Sequence, residues 1–434
     1  MTDVKIRKTD SLRGKVCAPP SKSYTQRMVI ASTLSNGTSR VSNGLISEDT
    51  EATLRSVQAL GANIVFAENC WKITGANPLR GTKKPIYIGE SGATSRFIVP
   101  LAALPPEPSV FILGSSLAER PIKPLLEALN QLGAEAEVQT VDGEPAIHVA
   151  GGGIQGGKAT LPGDVSSQFV SGLMFACPLA KTDTELNLTT TLESKNYVRM
   201  TEDVLAKHGV KVEISEDFRS IKIPSGQTYI PTNHCVPGDF SSAAFLLAAA
   251  ALTKSEVTIA NLDYTTKQGD KQILGLLKKL GVNGTVCPSE ITIQGSEEPL
   301  NSVNVDAREI PDLVPACAAL ACFAVGTSII HHAERLRLKE SDRLTSLFLE
   351  LQKMGADINL SKNTLILKGP ASLHGATVDP HNDHRIAMAC SVAALRAKGE
   401  TVIQNAECVR KSYPQFFNDL RKIGADVVGG QFDR

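Results

Sequence analysis

Six glycines at a nearly constant interval constrain this chain more than any other feature. Gly61, Gly133, Gly209, Gly281, Gly355 and Gly424 sit in the segments ALGANI, QLGAEAEV, KHGVKVEI, KLGVNGTV, KMGADINL and KIGADVVG, at successive spacings of 72, 76, 72, 74 and 69 residues. Each follows an amphipathic run such as EDTEATLRSVQAL or PIKPLLEALNQL and precedes a β-rich stretch. A helix ending there needs a left-handed residue just past its last turn, which glycine adopts without a Cβ penalty. Each glycine therefore predicts a helix-to-strand turn, and the series predicts six copies of one unit.

A second series opens the other helix of each unit: SKSYTQRMVIASTL, SGATSRFIVPLAAL, DVSSQFVSGLMFA, DFSSAAFLLAAAAL, DLVPACAALACFA and NDHRIAMACSVAAL. These begin at Ser21, Ser91, Asp164, Asp239, Asp312 and Asn382, spaced by 70, 73, 75, 73 and 70 residues. Every one opens on the Ser, Asp or Asn expected of an N-cap. Beyond the cap they are apolar on nearly all sides, as helices are when other elements wrap them. A repeat of about 70 residues is longer than solenoid periods of about 20–50, and 434 residues exceed one ordinary core. The expectation is an α/β protein of two domains with three units each. The stretch YIPTNHCVPGD, 229–239, carries two prolines and marks the main crossover. The lead VKIRKTDSLRGKVCAP is expected to pair with the second half, with a second crossover near Pro19. The domains are then 1–18 with 235–434, and 19–234.

Lys+Arg and Asp+Glu both number 45, so the formal net charge is zero. No basic field exists to hold nucleic acid or an anionic membrane, and any anion must be gripped by local cations. The start MTDVKIRKTD is too charged for a signal or a membrane helix, and the apolar run Phe245–Leu252 is too short to span a bilayer. Nine cysteines without a C-x-x-C pair read as buried apolar residues of a reducing cytoplasm. His381 and His384 lie three apart, but without clustered Cys or carboxylates no metal is expected there.

Local cations recur at the helix starts. If the interior helices of a domain run parallel, their free N–H groups and dipoles make anion sites at one end. Lys22 and Arg27 enter with the first helix, Arg96 with the second and Arg385 with the sixth; Arg120, Lys339, Arg343 and Lys411 precede or open the amphipathic helices. Any one alone reads as a surface ion-pair former, but recurrence at one location favours anion binding. Asp312 and Glu340 fall in the same set. Each can be a cap or first-turn acid, and each can also serve proton transfer among cations. Gly151, Gly153 and Gly156 satisfy G-x-G-x-x-G, yet GKATLPGD follows instead of a helix, so no dinucleotide fold is read; neither a G-x-x-x-x-G-K-[ST] loop nor a G-x-S-x-G elbow occurs.

The segments PPSKSYTQR, GATSR, ERPI, PGDVSSQF, RLKESDRL, NDHRIAM and KSYPQFF resemble the 5-enolpyruvylshikimate-3-phosphate synthases over the whole length. The resemblance implies an enolpyruvyl-transferase fold of two lobes, each of three βαβαββ units, with parallel interior helices whose N-termini face the cleft between the lobes. It implies transfer of the carboxyvinyl group of phosphoenolpyruvate to the 5-hydroxyl of shikimate 3-phosphate by addition and elimination, releasing phosphate, in chorismate and aromatic amino-acid biosynthesis. A monomer without cofactor or metal goes with it, as does a glyphosate target. By the same resemblance shikimate 3-phosphate meets Lys22, Ser23, Arg27, Ser166, Ser167, Gln168, Ser194, Tyr197, Asp312 and Lys339. Phosphoenolpyruvate meets Lys22, Gly92, Arg120, Gln168, Arg343, Arg385 and Lys411.

The catalytic set expected on that chemistry is Asp312, Glu340 and Lys22: Glu340 donates to C3 and Asp312 accepts from the hydroxyl, or the two exchange these roles between the steps, and Lys22 polarises the bridging oxygen. Where many relatives have Asn-x-Gly-Thr, this chain has Glu90, Ser91, Gly92 and Ala93. A carboxylate there must point away from the anion or pair with a cation. The nearest rival is the sister transferase acting on UDP-N-acetylglucosamine, which typically carries a loop cysteine; LGSSLAERPI has none, and SSQ with KESDR favours shikimate 3-phosphate. A non-catalytic anion-binding homologue would lack the acids and bases that are present here.

Overall fold

The computed structural model describes residues 2–67, 69–82, 84–295 and 298–431. The chain divides into two compact units. The first is Ser21–Val236; the second joins Met1–Pro20 to Pro237–Arg434. Each has its own hydrophobic core.

All six repeated glycines are left-handed, with φ between 76° and 107°, and each stands between a helix and a strand. The interior helices are α1 (Lys22–Thr33), α2 (Gly92–Ala102), α3 (Ser167–Ala176), α4 (Phe240–Leu252), α5 (Val314–Ala321) and α6 (His384–Ala394). Every residue of α4, α5 and α6 is buried, as their all-round apolar sequences require.

Three expected caps are displaced. Ser166, not Asp164, caps α3, and Asp383, not Asn382, caps α6. The fifth helix enters through a 3₁₀ turn, Pro311–Leu313, and the Asp312 carboxylate is drawn to cations instead of the backbone. In the first two cases the helix starts later than its first polar residue, and the nearer short side chain captures the free N–H groups.

Among the described residues six small sheets share one pattern, a parallel pair followed by two antiparallel strands, and in one of them Leu300–Asn301 and Asn304–Asp306 both pair in parallel with Ala324–His331. In the first unit the orders are Asn233–Cys235, Thr38–Ser42, Cys70–Thr74, Asn63–Ala67; then Ile86–Tyr87, Ser109–Ile112, Glu144–Val149, Ala136–Val141; then Gly157–Leu161, Thr184–Leu188, Ser220–Ile223, Glu213–Ile214. The second unit repeats this with strands borrowed from the N-terminus. Arg13–Cys17 pairs in parallel with Glu256–Ala260, and Val4–Arg7 pairs antiparallel with Glu400–Ile403.

Not all cysteines are buried. Cys177, Cys317, Cys322, Cys390 and Cys408 are, whereas Cys17, Cys235 and Cys287 are exposed and Cys70 is half-buried. Cys17 and Cys235 point outward because they occupy alternating strand positions. Among the described residues no helix is long and apolar enough to cross a membrane.

Candidate active site

In the first unit the three interior helices bring their starts together through side-chain bonds. Gln26 of α1 donates to Thr53, to Ser91, which caps α2, and to Thr94. Arg96 of α2 donates to Gln168 of α3 at 3.0 Å and to the Pro121 carbonyl. Gly92 opens α2 at the point where a side chain would collide with the guanidinium groups of both Arg96 and Arg120. The Arg120 Nε is buried without a hydrogen-bond partner among the described residues. Free N–H groups and two guanidiniums thus converge on one helix start, which favours an anion.

Glu90 lies at this start, and its carboxylate is turned aside. It accepts from the backbone N–H groups of Leu117 at 2.7 Å and Ser116 at 3.3 Å. Lys22 opens α1 and pairs with Asp49 at 2.8 Å. Arg27 is 1% exposed; it donates to Thr201 and to the carbonyls of Ser23 and Tyr197, and lies 5.1 Å from the Phe97 ring centroid. Burial lowers its pKa to about 10, so it remains charged. Arg27 thereby ties Ser23 on α1 to Tyr197, which follows left-handed Ser194 in the helix Lys195–Lys207. Ser166 accepts from the Gln168 N–H at the start of α3, with Ser167 between them.

In the second unit one buried guanidinium organises the charges. Arg343, 1% exposed at its side chain, meets Asp383 through Nε at 2.7 Å, Asp312 through Nη1 at 2.8 Å and Glu340 through Nη2 at 2.7 Å. Lys339 stands 3.4 Å from Asp312. Arg385 stands 3.6 Å from the same carboxylate and donates to the Asp312 carbonyl. Lys411 donates to the Asn382 carbonyl.

Burial alone would raise the Asp312 pKa, but Arg385, Lys339 and Arg343 together hold it well below the usual carboxylate range. Burial lowers Lys339 to about 8 despite Asp312. Burial opposes the charge on Arg343, yet its three carboxylates outweigh that and raise its pKa.

Three carboxylates here were not among the expected residues. Asp49 reads in sequence as a first-turn acid behind the Ser47 cap, and only the packing of α1 on the helix Glu48–Ala59 brings it to Lys22. Asp383 caps α6 and braces Arg343 as well. Asp270, 2% exposed, accepts from Ser241 at the start of α4; burial, with Asp312 nearby, pushes its pKa up to about 7. His381 is engaged by Glu350 at 2.9 Å.

A family profile described as EPSP synthase (3-phosphoshikimate 1-carboxyvinyltransferase) matches residues 6–420. The 3-phosphoshikimate 1-carboxyvinyltransferase of Methanocaldococcus jannaschii is 41% identical over 97% of this chain and 98% of its own. That of Methanocorpusculum labreanum is 43% identical over 96% and 97%. The EPSP synthase structure from Acinetobacter baumannii superposes with a TM-score of 0.83 at 27% identity, covering 99% of this chain and 100% of that one. The enolpyruvyl transferase NikO from Streptomyces tendae shares the fold, with a TM-score of 0.80 at 18% identity.

Proposed function

Since the chain belongs to the EPSP synthase family and transfers a carboxyvinyl group from phosphoenolpyruvate to 3-phosphoshikimate in aromatic biosynthesis, we propose how its residues divide that work. The observation that carries the proposal is Arg343, one buried guanidinium holding both Asp312 and Glu340. A fixed acid and base are what the addition needs, because C3 must gain a proton as the 5-hydroxyl loses one.

In the addition, the 5-oxygen bonds to C2 of phosphoenolpyruvate, Glu340, which carries a proton at that step in place of its ion pair with Arg343, gives it to C3, and Asp312 takes the hydroxyl proton. Asp312 suits the accepting role because its surroundings keep it ionised. In the elimination Glu340 takes a proton back from C3, the electron pair of that C–H bond restores the double bond, and the C2–O bond to phosphate breaks, the proton held by Asp312 passing to the leaving phosphate. Lys22 polarises the bridging oxygen in this scheme. Arg120, Arg343, Arg385 and Lys411 stabilise phosphate charge as it develops, through groups already in place.

Gly92 and Gln168 complete the phosphoenolpyruvate set. Shikimate 3-phosphate is held by Lys22, Ser23, Arg27, Ser166, Ser167, Gln168, Ser194, Tyr197, Asp312 and Lys339. Arg27 contributes by fixing Ser23 and Tyr197, since each of its three nitrogens donates internally. The enzyme acts without metal or organic cofactor, as a monomer in the cytoplasm, where its free cysteines stay reduced.

Phosphate release tests the reading. It should appear with phosphoenolpyruvate and shikimate 3-phosphate in the presence of a chelator, and not with UDP-N-acetylglucosamine as acceptor. Release only with the latter acceptor, or release abolished by chelator, would refute it.

A further inference from the structure

The second unit carries two histidines and a carboxylate at the end of one sheet, apart from the groups described above. Strand Asn304–Asp306 pairs in parallel with Ala324–His331, with Asp306 opposite His331, and the Ala307 N–H donates to the His331 carbonyl at 3.0 Å. Opposed residues of paired strands share a face, so the two side chains leave the sheet together. His332 follows with φ of 53°, a left-handed backbone uncommon for a residue with a side chain. Its ring centroid lies 4.6 Å from that of His331. The His332 Nδ1 lies 2.8 Å from the His331 Nδ1 and 3.4 Å from Asp306 Oδ2, and the three ligand atoms all fall within 4.8 Å of one another.

Two neutral imidazoles facing through Nδ1 share one proton between two lone pairs. A divalent ion in that proton's place takes a lone pair from each. With metal–ligand bonds of about 2.0–2.2 Å, ligand atoms around a tetrahedral ion stand about 3.3–3.5 Å apart. The His332–Asp306 separation already has that value, and the two Nδ1 atoms need to part by only about half an ångström. Arg308 is the competitor: its Nε donates to both Asp306 oxygens, at 3.0 and 3.1 Å, and its Nη2 to Oδ2. The Arg308 and Asp306 side chains are 51% and 38% exposed, so water and a metal can replace that pairing.

We propose that Asp306, His331 and His332 form a binding site for a divalent transition-metal ion of the zinc or nickel class, with water completing its coordination. Two imidazoles and one carboxylate are a donor set that such borderline ions accept and that magnesium does not prefer.

The test is calorimetric titration of Zn²⁺ into the full chain after alkylation of its exposed cysteines, because Cys17, Cys235 and Cys287 would otherwise compete. One ion per chain is expected. His331→Ala and His332→Ala should each weaken binding by at least about tenfold. Arg308→Gln should tighten binding by releasing the carboxylate, a gain that misfolding cannot imitate. No binding to the parent chain, or binding indifferent to all three substitutions, would overturn the proposal.

Discussion

The two units gather charge at their helix starts by opposite means. In the first, cations meet backbone N–H groups: Arg96 and Arg120 close on Gly92, and the one nearby acid of that loop, Glu90, is turned onto the N–H groups of Ser116 and Leu117. In the second, cations meet acids: Arg343 alone pairs with Asp312, Glu340 and Asp383, with Lys339 and Arg385 beside Asp312. The first arrangement keeps positive charge available to an anion. The second sets cations against carboxylates, and those cations hold Asp312 well below the usual carboxylate range. The same repeat unit therefore yields one helix-start cluster of cations and N–H groups and another of paired acids and cations, and the difference lies in which residues follow each cap.

The largest effect should come from removing the centre of the second arrangement. Arg343→Met strands carboxylates of which Asp383 is fully buried, and breaking a buried pair in this way costs about 3–5 kcal/mol. Urea unfolding should show that loss, and a loss under about 1 kcal/mol would mean that the acids do not depend on Arg343.

In the first unit the matching change is Gly92→Ala. The new methyl displaces the far ends of Arg96 and Arg120 and leaves the helix intact. Losing one charge-assisted contact to an anion, worth about 1.5–3 kcal/mol, should raise the KM for phosphoenolpyruvate about tenfold or more at unchanged stability. An unchanged KM would remove the anion role from this helix start.

Lys339 allows a subtler comparison. Its folded pKa of about 8 lies below the ordinary 10.5, so its charge is present below about pH 8 and is lost as pH rises through that value. Shikimate 3-phosphate affinity should weaken over the same range. Lys339→Arg should flatten that limb, because a guanidinium stays charged. The smallest effect belongs to a buried pair in the first unit, His208 and His234, whose Nε2 atoms lie 2.8 Å apart. Burial lowers their pKa values to about 4 and about 3 from 6.5, with the charge of His208 and then that of Lys207 adding to the shift at His234. The unfolded chain then takes up protons first, so stability is full above about pH 6.5 and declines as pH falls from there toward the folded values. Urea midpoints measured between pH 7.5 and 5.5 should fall, and His234→Gln should lessen the fall.

The sixfold repeat was legible because its signals are local. A glycine past each amphipathic helix must be left-handed, and all six are. The strand partners were harder to read. The sheet completed by Thr377–Val378 and Val427–Val428 has two-residue strands, too short for any alternation to show. The cations at the helix starts were legible from their recurrence, and the family's motifs named most of the candidate residues. Asp49, Asp270 and Asp383 were not visible as members of the site, because each also satisfies a local role as a cap or first-turn acid. Only contacts between distant segments, Lys22 to Asp49, Ser241 to Asp270 and Arg343 to Asp383, reveal the second role.

The proposed division of roles among the residues rests on Glu340 as a proton donor. Its direct test is Glu340→Gln, with turnover measured beside shikimate 3-phosphate affinity. Turnover should drop about 10²–10⁴-fold, the contribution of a positioned acid, while affinity stays within about twofold. Near-normal turnover would contradict the account, and a loss of affinity that matches the loss of turnover would place Glu340 among the binding groups instead.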